Sequence, residues 1–246
     1  MPDEKIVFIA AAFALAGLAK GVIGLGLPTI SMGLLAIVMT PLQAAAILVL
    51  PSFLTNVWQM AAGPFLWSSM RRLWPMLLGL CLGTWASAGL MTGNHAQYNG
   101  LLLGVALIAY AGTGFRSTRF TIARFQESWL GPAVGAVTVV ITAATGIFVI
   151  PAVPYLQALE LEKEEFVQAL GLAFTVSTIA LAANLVFAGA LGIATAAPTL
   201  VAVAVACAGM GVGQALRRRL SAALFRRCFF IGLLLLGAYL VGSSLR

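Results

Sequence analysis

Long apolar blocks alternate with short polar connections along the chain. The blocks fall at about 6–39, 42–62, 73–92 and 97–115, then at about 129–159, 165–189, 192–215 and 223–243. Several reach the ~20 residues that a helix needs to span a bilayer. The pattern predicts an all-α polytopic membrane protein. A basic polar stretch, 116–128, divides it into two sets of blocks of closely similar lengths, which suggests a duplication. The expected organisation is an N-terminal repeat over 1–115, a cytoplasmic linker over 116–128 and a C-terminal repeat over 129–246, together forming one transmembrane domain.

One stretch interrupts the pattern. Residues 16–31 place Gly21, Gly24, Gly26 and Pro28 within eight positions, directly after Lys20. These are too many helix breakers for a continuous span. Non-helical backbone survives in hydrocarbon only where protein buries it or where it lines a wet cavity. A broken helix there exposes free N–H groups and the positive end of a helix dipole, which suits an anion. The plainer reading is a kinked helix with glycines at packing contacts. In the second half, setting Gly26 on Gly146 puts Thr145-Gly146-Ile147-Phe148-Val149-Ile150-Pro151 in place of the break. Three extra loop residues then bring Ala46 onto Ala169, Ser52 onto Thr175 and Thr55 onto Thr178.

Charge turns the blocks into a topology. Arg71-Arg72, the group Arg116, Arg119 and Arg124, and Arg217-Arg218-Arg219 fall in short connections, as cytoplasmic loops require. Block 129–159 must then cross an even number of times. Its ~31 residues would measure ~46 Å as one helix, too short for two full spans and a turn. A broken or re-entrant helical hairpin fits, followed by three transmembrane helices. The same count for 6–39 leaves the N-terminus outside, so the two repeats are expected to be inverted relative to each other.

Composition agrees and excludes other classes. Of 246 residues, 61% are hydrophobic and 9% charged, against roughly 25% charged in soluble domains. The net charge of +7 sits in loops, so nucleic acid is not an expected partner. No removable signal peptide is read at the N-terminus. The cysteines and the single histidine, His95, show no ligand spacing, and no P-loop, Gly-x-Ser-x-Gly or His-Glu-x-x-His motif occurs. No enzyme activity, metal or cofactor is expected. All seven acidic residues lie in the N-terminal tail, at Glu127 or in 160–165, none at the middle of a span. Cation carriers usually place a carboxylate there.

The spans instead hold neutral polar residues. Ser52, Thr55, Asn56 and Gln59 recur at three- and four-residue spacing and share one helix face, which Thr175 and Thr178 repeat in the other half. With Lys20, Thr29 and backbone N–H groups around Gly24, Gly26, Thr145 and Gly146, they form a candidate cage for a small oxyanion. The competing reading for each hydroxyl is a bond to its own helix backbone.

Lys20-Gly-Val-Ile-Gly-Leu-Gly-Leu-Pro28 followed by Pro41-Leu-Gln-Ala-Ala-Ala, and Thr145-Gly-Ile-Phe-Val-Ile-Pro151 followed by Gln168-Ala-Leu-Gly, resemble the sulfite exporter TauE/SafE family, also called toluene-sulfonate uptake permeases. The likeness covers nearly the whole chain. It departs at the break, where family members often carry three consecutive glycines and this chain has Gly24-Leu25-Gly26. The resemblance implies movement of a small sulfur-containing anion, such as sulfite or the organosulfonate sulfoacetate, across the bacterial inner membrane, with export favoured. The expected partners are that anion and the lipid bilayer, with a homodimer left open. An anion channel of the same fold and a carrier of a different small organic anion are the alternatives.

Overall fold

The computed structural model describes residues 3–87, 90, 98–115, 121–191, 196–217, 219 and 221–244. His95, Arg116, Arg119 and Arg218 lie outside them. The described residues form ten helices and no strand: α1 (Asp3–Ile23), α2 (Leu27–Leu35), α3 (Pro41–Ala61), α4 (Leu66–Ala86), α5 (Asn99–Phe115), α6 (Arg124–Thr145), α7 (Ala152–Ala158), α8 (Lys163–Phe187), α9 (Ala196–Leu216) and α10 (Ala222–Ser244). Six, namely α1, α3, α6, α8, α9 and α10, contain stretches long and apolar enough to cross a membrane. The all-α polytopic class is therefore observed.

Each of the two expected breaks is real. Helix α1 ends where Gly24 N–H donates to Lys20 O at 2.8 Å, and α6 ends where Gly146 N–H donates to Thr142 O at 2.7 Å. Both glycines adopt a left-handed backbone, φ +78° and +73°, which side chains disfavour. The chain restarts as a short helix in each case. Pro28 stands in the first turn of α2, where its missing N–H costs nothing. The helix ends equate Gly24, and not Gly26, with Gly146, two residues from the register that the sequence suggests.

Two helices start earlier than the apolar blocks indicate. Helix α4 includes Arg71 and Arg72, and α6 begins at Arg124 within the polar stretch. Arg72 explains both. It lies one helix away from Glu127 and makes a two-pronged ion pair with it, Nε to Oε2 at 3.0 Å and Nη2 to Oε1 at 2.7 Å. Arg72 Nη2 also donates to Leu159 O at 3.1 Å, just past α7. Arg72 and Glu127, which read as charges of connections, are thus held inside helices as each other's partner.

The helices pack in pairs drawn from opposite halves. Helix α1 lies against α9, α4 against α6, α3 against α8, and α5 against α10. Glycines permit the close contacts in the first two pairs. A Cβ on Gly17 or Gly213 would stand 2.3 Å from a backbone oxygen of the facing helix, and one on Gly79 or Gly135 2.1 Å. Packing of this kind holds helices together where lipid offers no hydrophobic driving force. Exchanging the first five helices for the last five leaves this pairing scheme unchanged. Helices α3 and α8 are the most buried of the long helices, and the site lies on them.

Candidate functional site

Helix α3 begins with a capping box, Gln43 N–H on Thr40 Oγ1 and Thr40 N–H on Gln43 Oε1, both 3.3 Å, with Pro41 in the first turn. Further along it, Pro51 removes a backbone donor inside the helix. Ser52, Thr55, Asn56 and Gln59 follow on one face, and all four are buried. Lys20, in the last turn of α1, meets that face.

Lys20 is 3% exposed. Its Nζ donates to Thr55 Oγ1 at 3.1 Å and to Asn56 Oδ1. Asn56 Nδ2 donates in turn to Thr178 Oγ1 on α8 at 3.0 Å. Gln59 Nε2 donates to Gly24 O at 3.2 Å, at the break itself, and to Val167 O on α8 at 2.8 Å. These contacts join α1, the break, α3 and α8 into one polar group. Ser52 Oγ and Gln59 Oε1 are buried within it and have no hydrogen-bond partner.

The charge of this group is unusual. Among the described residues the one ion pair is Arg72–Glu127, so no carboxylate pairs with Lys20. Its buried neighbours are a hydroxyl and an amide. An ammonium taken out of water without a counter-ion is costly, and in a span it marks a functional position.

The hydroxyls are arranged differently from a ring of donors. Thr55 Oγ1 donates to Pro51 O at 2.7 Å, Thr178 Oγ1 to Phe174 O at 2.7 Å, and Thr175 Oγ1 to Gly171 O at 2.7 Å. Their protons serve the preceding helix turn, and lone pairs remain for Lys20 and Asn56. The donors left for a ligand are the ammonium, the Ser52 hydroxyl, the Asn56 amide and backbone N–H groups of the break.

The remaining expected residues sit apart from this group. Thr29 donates to Gly26 O at 3.1 Å and so fastens the start of α2. Gly26 lies against Phe229 and Ala19. At the second break, Thr145 Oγ1 donates to Ile141 O at 2.7 Å and accepts Ile147 N–H at 3.2 Å, while Gly146 abuts Met32 of α2. Among the described residues no hydrogen bond joins Thr145 to the Lys20 group. Thr142, which precedes Gly146 as Lys20 precedes Gly24, bonds among the described residues to Thr138 O and Ile147 O of its own half.

Gln168 was legible only as part of the family likeness, yet it ties the halves together. Its amide nitrogen donates to Met60 O at 2.6 Å and Gly63 O at 2.7 Å, and its oxygen accepts Phe65 N–H at 2.7 Å. A glutamine in a span facing a loop turn 100 residues away gives no periodic signal.

The family model for the sulfite exporter TauE/SafE matches residues 9–240. The chain belongs to the TauE/SafE family. Its members are membrane transporters and not enzymes, and membership implies transport of sulfur-containing anions. No curated protein and no solved structure matches the chain. With six apolar helices of spanning length, this TauE/SafE protein is a multi-pass membrane protein.

Proposed function

We propose that the protein is a secondary carrier of sulfite or a small organosulfonate such as sulfoacetate, placed in the bacterial inner membrane and working by alternating access with export favoured. The observation that carries this reading is the buried Lys20 side chain, whose Nζ is bonded to Thr55 and Asn56 and meets no carboxylate among the described residues. An anion supplies the missing counter-charge, and the ammonium offsets the cost of stripping water from the anion.

The two halves, 1–115 and 129–246, act in this reading as inverted repeats joined by the linker 116–128. The exchange-invariant pairing of helices supports it. So does Asn56–Thr178, a contact at an interval of 122 residues between the two halves. Rocking one half against the other would part the α3–α8 contacts on alternate faces and expose the Lys20 group to each side in turn. The group is buried, as an occluded state of such a carrier requires.

Transport by Lys20→Ala and Thr145→Val variants in whole cells tests the assignment. Lys20→Ala is expected to lose sulfite efflux. Undiminished efflux in Lys20→Ala would count heavily against the site. The Thr145→Val variant asks whether the second break contributes to binding beyond its own helix cap.

A further inference from the structure

The charge of the Lys20 group also specifies the class of anion. Resting on the reading that this group holds the substrate, we propose that the site selects monoanions, of the type R–SO3−, over dianions of the same shape. Lys20 is the one cation in the group. Thr55, Asn56, Thr178, Ser52 and Gln59 are neutral, and the Arg72 guanidinium is engaged by Glu127 and Leu159 O.

Two physical arguments converge. The cost of taking an ion out of water rises with the square of its charge, while its attraction to a single ammonium rises only in proportion. A dianion therefore meets about four times the desolvation cost for about twice the attraction. The second argument is one of hydrogen-bond polarity. Thr55 and Thr178 give their protons to Pro51 O and Phe174 O, so they turn lone pairs towards the group. The unpartnered Gln59 Oε1 is a further buried acceptor. Against these acceptors stand one unpartnered hydroxyl, Ser52 Oγ, and the backbone N–H groups of the break. A single negative charge finds the ammonium, the Ser52 hydroxyl and the Asn56 amide. A second one finds acceptors.

With Lys20 protonated, the loaded site carries zero net charge and the empty site one positive charge, which Asn56 Oδ1 and Thr55 Oγ1 solvate in place of the substrate. This narrows the proposed substrates to hydrogen sulfite and singly charged sulfonates, and ranks the sulfite dianion and the doubly charged sulfoacetate below them.

Methanesulfonate and sulfate are nearly the same shape and differ by one charge, which makes them a direct test. Thermal unfolding of the purified full-length protein in detergent is followed as each is titrated at matched ionic strength and fixed low chloride. A ligand that binds the folded state raises stability in proportion to the logarithm of its saturation. The expected result is saturable stabilisation by methanesulfonate at concentrations at least about tenfold below those that sulfate requires. Lys20→Gln should abolish that shift. Asn56→Asp, which sets a carboxylate beside Lys20, should abolish it too. Stabilisation by sulfate at equal or lower concentration would overturn the charge selectivity and leave the site standing. No stabilisation by either anion, or a shift that persists in both variants, would overturn the selectivity together with the site.

Discussion

Asn56 and Thr178 meet across the α3–α8 seam, amide nitrogen to hydroxyl oxygen at 3.0 Å, and stand 122 residues apart. Pro41 and Lys163, the first residues of α3 and α8, are separated by the same interval, and so are Ile23 and Thr145, the last residues of α1 and α6. Equivalent residues of two repeats can touch only at their symmetry axis. The register of the helix ends pairs Thr178 with Asn56, where the sequence suggests Thr55, and reading the halves as repeats then puts this bond at the axis, beside the buried Lys20 of the first half.

Thr178→Val tests the weight of that bond. The variant keeps the volume and removes the acceptor, leaving the Asn56 amide buried with one partner fewer. The expected cost is about 1–3 kcal/mol, read as a lower melting temperature in detergent. Thr178→Ser should recover most of it. Anion-induced stabilisation should persist in both, because Lys20 and its α3 partners are intact.

The Arg72–Glu127 pair fastens α4, α6 and the end of α7. Its side chains are 26% and 9% exposed, so it is partly screened. Arg72→Ala leaves Glu127 without its cation in a site 7% exposed. A fully buried pair would cost about 3–5 kcal/mol on losing one partner. Partial exposure reduces the expectation to about 2–3 kcal/mol. Glu127→Gln, which keeps an acceptor for Arg72, should cost less. Equal melting temperatures for Arg72→Ala and the unaltered protein would show that the pair contributes nothing.

Glycine contacts set the distance between α1 and α9 and between α4 and α6. Gly17→Val and Gly79→Val place side-chain atoms where a Cβ alone would already stand 2.3 Å and 2.1 Å from backbone oxygens. Both should reduce the yield of folded, monodisperse protein to a small fraction. Gly112→Val, with nothing within 4 Å, should leave it unchanged. Size-exclusion chromatography of the three variants distinguishes close packing from a general intolerance of valine.

Much of this was legible in the sequence. Lengths of apolar runs give the helices, and Gly24, Pro28, Gly146 and Pro151 announce both breaks, because breakers in hydrocarbon have few other uses. The polar stripe on α3 was legible from its spacing. What escaped is decided by partners distant in the chain. Arg72 and Glu127 read as loop charges until α4 and α6 are side by side. The protons of Thr55 and Thr178 could point to a ligand or to their own helix turn, and spacing carries no information on that choice. Gly26 carried the sequence register onto Gly146, whereas helix geometry selects Gly24, since the left-handed residue must follow the last helical turn directly.

In the proposed function Lys20 anchors the carried anion. Counterflow in proteoliposomes tests it most directly: vesicles loaded with unlabelled sulfite are diluted into trace labelled sulfite, and accumulation inside is followed. A transient, saturable overshoot is expected with the unaltered protein and none above leak with Lys20→Gln. An equal overshoot in Lys20→Gln, or ohmic conductance without any overshoot in the unaltered protein, would contradict it.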